Sequence, residues 1–239
     1  MPDILLHLLP HFAALLYAGL GYHFWHTRWN DTGKPLAPLP MQPWERCAIA
    51  IALSLHGAGL YQDLLASGSL RFSFSLAISL MLWLAVLIYW LESFRSRMDG
   101  MQPMVLPLAA LSAALPAVFP QTHEIAHAQA IGFKMHFLAA MLAYSLFTVS
   151  ALNAVFMGFI EHKLHRKTLG TRQASLPSIL AMETLLFRLI GIAFLLLTLT
   201  MISGLVFSER IFGRAVVFDQ KTTFAFASWV IFAALLFGR

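Results

Sequence analysis

Seven apolar runs divide the chain: Ile4–Trp25, Cys47–Ala66, Phe72–Leu91, Met104–Phe119, Met135–Ile160, Leu185–Phe207 and Phe224–Phe237. Each is bounded by charge, Pro or Gly clusters, the punctuation that separates membrane spans. A spanning helix takes about 20 apolar residues, so these runs and their short connectors use up all 239 residues. The expected fold is all-α: a polytopic transmembrane helical bundle of about seven spans, forming one integral-membrane domain over 1–239. Composition agrees, with 59% hydrophobic and only 11% charged residues against about 25% charged in soluble domains. Hydrocarbon is then the solvent, and backbone groups must be satisfied within helices. Soluble enzyme classes are excluded on the same ground, and the chain carries no phosphate loop or dinucleotide motif. The formal charge of +5 reports membrane orientation rather than nucleic-acid binding, which makes the lipid bilayer the expected partner. Cys47 is the only cysteine, so no intrachain disulfide, CxxC pair or cysteine-rich metal site can form.

Met1-Pro2-Asp3 lacks a basic n-region, and no small-residue cleavage site follows the first run, so an uncleaved first helix is expected. The connector Thr27–Trp44 holds Pro35, Pro38, Pro40 and Pro43 and is expected to run extended along the surface. The fourth and seventh runs are short for a span, and the fourth is flanked and interrupted by Pro103, Pro107, Pro116 and Pro120. Counting Lys and Arg in alternate connectors gives an orientation. One side receives ten: Arg28, Lys34, Arg46, Arg95, Arg97, Lys163, Arg166, Lys167, Arg172 and Arg239. The other receives five: Arg71, Lys134, Arg210, Arg214 and Lys221. This bias puts the N-terminus outside and the C-terminus in the cytoplasm of a bacterial-type inner membrane. Arg188, five residues after Glu183, is expected to snorkel toward the cytoplasmic face.

Ten histidines in so uncharged a chain matter because imidazole is both a metal ligand and a proton carrier. The topology sends His7, His11, His123, His127 and His136 outward and His23, His26, His162 and His165 inward, with His56 near mid-membrane. Most such residues simply bridge headgroups and water. His136 and His56 carry more weight, since a histidine in an apolar span must find a partner. His123-Glu124-Ile125-Ala126-His127 fits H-E-x-x-H, in which two histidines one helical turn apart hold zinc while the Glu activates water. A membrane zinc metallopeptidase is the alternative this motif opens, although no companion motif supplies a third ligand.

The last third is the most informative. Met182-Glu183-Thr184-Leu185-Leu186-Phe187-Arg188-Leu189-Ile190, then Leu195-Leu196-Leu197-Thr198 and Ile202-Ser203-Gly204, closely resemble the haem-handling cytochrome c assembly family of CcsA-, CcmC- and HemX-type proteins, and within it the YpjD-type inner-membrane proteins. Phe212-Gly213, Phe218-Asp219-Gln220-Lys221, Thr223-Phe224 and Trp229 keep the spacing of the family's Trp-rich outer loop. His136, with Tyr144 eight residues on, resembles the helix whose histidine starts a span at the outer face. The resemblance covers residues 130–239 well and the first half by hydropathy alone. It implies a protein without catalysis of its own that binds or moves haem, or assists cytochrome c maturation alongside other maturation proteins. The implied site has His136 as axial ligand, Phe212, Phe218 and Phe224 as the wall beside Trp229, and Lys221 or Arg214 meeting the propionates. Asp219 belongs to the same loop and can instead pair with Lys221.

Departures from the pattern are equally specific. The loop's tryptophans are replaced by Phe212, Val216, Phe218 and Phe224, Gln220 stands where Pro is usual, and Phe237 occupies the place of an intramembrane histidine. The sequence ends at Gly238-Arg239, before the eighth span that follows in the family and carries a second outer histidine in its synthases. A bis-His site of that kind is therefore not expected from matching positions, and His56 or an outer histidine is left as the substitute ligand. Two other readings stay open. One is a structural or regulatory membrane protein that kept the fold without haem. The other is ion or small-solute transport, raised by His56, Asn153 and Arg188 in spans, although the halves show no inverted repeat.

Overall fold

The computed structural model describes residues 2–29, 41–65, 71–95, 100–120, 123–124, 130–165, 179–212 and 220–239. Seven α-helices account for nearly all of them: α1 (Pro2–Phe24), α2 (Pro43–Leu65), α3 (Phe74–Glu92), α4 (Gln102–Val118), α5 (Ile131–His165), α6 (Ile179–Phe212) and α7 (Gln220–Phe237). The protein is an all-α membrane bundle. Phe74–Glu92, Ile131–His162 and Ile179–Val206 are long and apolar enough to cross a membrane, and Gln102–Val118 and Thr222–Phe237 are shorter apolar helices. The first two helices are 23 residues each, and the second carries polar groups that the bundle buries, Glu45 and His56.

The first four helices close into a ring, with α1 packed on α2 and α4, and α3 packed on the same two. Outside it stands a row: α5 on α3, α6 on α5, and α7 on α6. Cross-helix contacts fix the directions. In α2 and α3, His56 meets Ser79 and the Trp83 indole donates to the Leu53 carbonyl at 2.8 Å, an antiparallel pair. In α3 and α5, Phe72 meets Phe137 while Ser145 Oγ donates to the Met81 carbonyl, a parallel pair. Odd-numbered helices thus run one way and even-numbered ones return. The bundle has an N-terminal end, where α1 begins and α2 finishes, and an opposite end bearing Phe24, Pro43 and Glu92.

Sequence expectations are corrected at several boundaries. The connector Thr27–Trp44 is not extended throughout: Trp25–Trp29 form a π-helical turn continuing α1, and Pro43 and Trp44 open α2. Proline suits a first helical turn, where its missing N–H is unpaired in any case. The same reasoning covers Pro103 at the start of α4, whereas Pro107 and Pro116 lie inside that helix, as membrane helices tolerate. The fifth and sixth helices overrun their apolar runs, so Ile179–Met182 and His162–His165 are helical rather than connector.

Polar contacts clamp the opposite end. The buried Glu45 carboxylate takes Arg28 Nη2 at 3.0 Å, His23 Nε2 at 3.0 Å and the Gln42 backbone N–H at 2.7 Å. Trp29 donates its indole N–H to the Gly100 carbonyl at 2.9 Å and stacks on Phe159. Gly100 has φ +101°, and a Cβ there would fall 2.8 Å from Phe156 Cζ, so both the turn and the ring beside it require glycine.

Candidate functional site

The seam between α5 and α6 holds the best-organised histidine. His136 lies in the second turn of α5, half-buried, with Nδ1 2.8 Å from Ser203 Oγ on α6. Ser203 Oγ also donates to the Thr200 carbonyl at 3.0 Å, and the His136 ring bonds that same carbonyl. The imidazole is thereby held by two groups of α6, the kind of outer contact that fixes the orientation of a ligating histidine. Gly204 keeps the approach open, since a Cβ there would lie 3.4 Å from His136 Cε1.

Two of the contacts between the last helix and this seam fix its register. Trp229 Nε1 donates to Thr198 Oγ1 at 3.0 Å, and the Arg239 guanidinium lies 4.3 Å from the Phe187 ring centre. Both give one antiparallel register for α6 and α7. Phe224 precedes Trp229 by five residues and Ser203 follows Thr198 by five, so at 1.5 Å per residue both stand about 7.5 Å nearer the N-terminal end. Phe224 is therefore level with the His136–Ser203 pair, and it is 63% exposed. Phe226 stacks on Trp229 beside it.

The remaining sequence-selected residues are distributed as follows. Phe212 ends α6 and Lys221 sits in the first turn of α7. Gln220–Thr223 are thus helix, and the presumed Phe212–Thr223 loop is correspondingly shorter. Arg214, Phe218 and Asp219 lie outside the described residues. Tyr144 is exposed, whereas the neighbouring Ser145 is buried and bonded to the Met81 and Met141 carbonyls.

His56 is not brought to His136. It is buried inside the ring, with Nε2 2.9 Å from Ser79 Oγ. The parallel register of α3 and α5 puts Arg71 level with His136, and Ser79 is eight residues further in, about 12 Å deeper and on the other flank of α3. The polar residues that raised a transport path also separate: Asn153 donates to the Met182 carbonyl at 3.0 Å across α5 and α6, and Arg188 makes a two-pronged ion pair with Glu92 of α3. Arg188 is therefore a clamp between helices, not merely a snorkelling cation. Of the H-E-x-x-H residues, His123–Glu124 form a short strand pairing antiparallel with Arg71–Phe72, and His127 lies outside the described residues.

Sequence reasoning quoted Thr198 and Ser203 within the resemblance but gave neither a role. It missed the Glu45 cluster entirely, although His23, Arg28 and Glu45 flanking one connector are the signal from which it can be read.

Comparison with known proteins matches this architecture. The Cytochrome C assembly protein family model matches residues 44–239, and the chain belongs to that family. It is 28% identical over 205 residues to the inner membrane protein YpjD of Escherichia coli K12, covering 82% of this chain and 75% of that one. Shorter stretches are similar to the cytochrome c biogenesis protein CcsA: 35% identical over 83 residues in Pyropia yezoensis, covering 35% and 25% of the two chains, and 28% over 128 residues in Chlamydomonas reinhardtii, covering 53% and 35%. No solved structure matches the chain.

Proposed function

We propose that this protein binds haem at the N-terminal end of the α5–α7 row and presents it for cytochrome c or membrane haem-protein maturation. The observation that carries the reading is the pairing of His136 with Ser203, which fixes the ring at the level of the exposed Phe224. His136 would hold the iron, which supplies the redox and ligand chemistry of the group. Phe224 would offer an aromatic face to the flat macrocycle, with Phe212 and Phe218 extending it. Lys221 and Arg214 are the cations of this segment and would meet the propionates. In the orientation set by Lys and Arg counts, this end faces outward and the chain is a multi-pass inner-membrane protein with its C-terminus in the cytoplasm. No step in this role makes or breaks a covalent bond.

The test is the ultraviolet-visible spectrum of the detergent-purified protein with and without added haem. A Soret band that is lost in His136→Ala supports the reading, and a protein that stays colourless with excess haem overturns it. A second reading, a fold-retaining structural protein, draws on the same hydrogen bond, which also suits a packing histidine. Under it His136→Ala lowers the melting temperature and leaves haem content unchanged.

A further inference from the structure

The N-terminal end of the α1–α4 ring contains a pocket of about 290 Å³, with His11, Asp63, Arg71 and Ser75 on its walls. Following the helices inward, its deepest lining residues include Gly59 on α2, on which Pro10 of α1 packs so closely that a Cβ would fall 2.5 Å from Pro10 Cγ, Leu76 on α3 and the small Ala113 on α4. One turn further along the same helix faces stand His56, three residues from Gly59, and Ser79, four from Ser75. The first helix adds Tyr17, whose ring meets that of His56 edge-on at 5.9 Å between centres. His56 and Tyr17 are both fully buried. Ser79 takes His56 Nε2, while His56 Nδ1 and the Tyr17 hydroxyl meet no protein group among the described residues. Buried polar atoms are rarely left so, and water is the usual partner where a polar space adjoins them.

We propose that this pocket is the mouth of a one-sided water inlet ending on His56, and that His56 is a proton site in exchange with the aqueous phase at that end. Protonated, the ring donates from both nitrogens, to Ser79 Oγ and to inlet water; neutral, it keeps the Ser79 bond and accepts from water at the other nitrogen. The groups around it are few. Tyr17 comes from α1, Asp63 lies two turns away on α2 itself, and α3 supplies the neutral Ser79. The fourth helix brings Ser112, whose hydroxyl is already donated to the Ala109 carbonyl. The ionisable residues His11, Asp63 and Arg71 stay at the mouth. A buried imidazole reached by water from one side is the arrangement by which membrane proteins take up a proton within a span.

Hydrogen–deuterium exchange at the imidazole carbon, read for each histidine by mass spectrometry across pH, tests this on the unaltered protein. His56 is expected to exchange with a sigmoidal pH profile. Ser79→Ala moves its midpoint to lower pH, because the imidazolium loses an acceptor. In a Cys47→Ser background, Ser79→Cys should react with a membrane-impermeant thiosulfonate only from the side that labels Val118→Cys, an exposed position at the same end. Labelling Ser75→Cys with a bulky thiol reagent should abolish His56 exchange. The inlet is refuted if His56 stays unexchanged while the exposed His162 exchanges fully, or if Ser79→Cys labels from both sides or neither. Haem binding resides in the other half of the molecule, so a colourless protein leaves these outcomes unaffected.

Discussion

His136 and Glu45 show how single residues in this chain take their meaning from partners distant in sequence. Ser203, 67 positions after His136, holds the ring through one hydrogen bond worth about 1 kcal/mol. Ser203→Ala should therefore weaken haem affinity by several-fold rather than abolish it, measured by haem titration beside His136→Ala. Glu45, just outside the Cys47–Ala66 run, is pushed upward by burial, but hydrogen bonds from Arg28, the Gln42 backbone and His23, with the Arg28 charge, hold its carboxyl below the usual range. A lowered folded value means that the stabilisation is complete above the unfolded pKa of about 4.3 and is lost as pH falls through the lower folded one. Thermal melts in detergent should show an acid-limb loss of stability that Glu45→Gln removes. Glu45→Ala should cost about 3–5 kcal/mol at neutral pH, since it strips the buried Arg28 of its carboxylate. His136 was legible because a histidine in an apolar run has few benign explanations. Glu45 was not, because at the border of a run a carboxylate looks like an ordinary solvated end until the fold buries it.

Elements were more legible than residues, and the exceptions share one cause. Apolar runs mark where a helix meets lipid or core, whereas a helix ends where its backbone hydrogen bonds end. Accordingly α5 and α6 overrun their runs at His162–His165 and Ile179–Met182, where Lys163, Leu164, Leu180, Ala181 and Met182 are good helix formers. Short strand pairing at Arg71–Phe72 with His123–Glu124 left no period to read. Two elements give predictions. Gly100→Ala forces a side chain into a positive φ and against Phe156; it should destabilise by about 1–3 kcal/mol, seen as a lower melting temperature and easier proteolysis near that turn. Trp229→Phe removes the bond to Thr198 that sets α7 on α6; an interhelical bond in a membrane is worth about 0.6 kcal/mol. The variant should stay folded but show a loosened α7, detected as faster thiol labelling of Ser228→Cys.

For the whole molecule, low charge and seven punctuated runs announced an all-α membrane bundle, and the family match rests on the same stretch of chain. The partition into a ring and a row was not legible, because helix neighbours depend on side-chain fit that hydropathy does not encode. The charge bias makes a further prediction: a reporter fused after Arg239 should be active only if it works in the cytoplasm, and one fused after Val118 only if it works outside. The opposite pattern would invert the bundle and place His136 on the cytoplasmic face.

The ring consists of the first four helices in chain order, and each later helix adds to one already made: α5 to α3, α6 to α5 and α7 to α6. Such an order suits a protein made and inserted from its N-terminus, because domains fold as units while synthesis continues. The Glu45 cluster and the His56–Ser79 pair belong to α1, α2, α3 and their connectors. The charges most costly to leave unpaired in lipid are thus matched before α5 emerges. The seam that holds His136, the proposed haem ligand, comes together only when α6 is threaded, and α7 then closes on it through the Trp229–Thr198 bond.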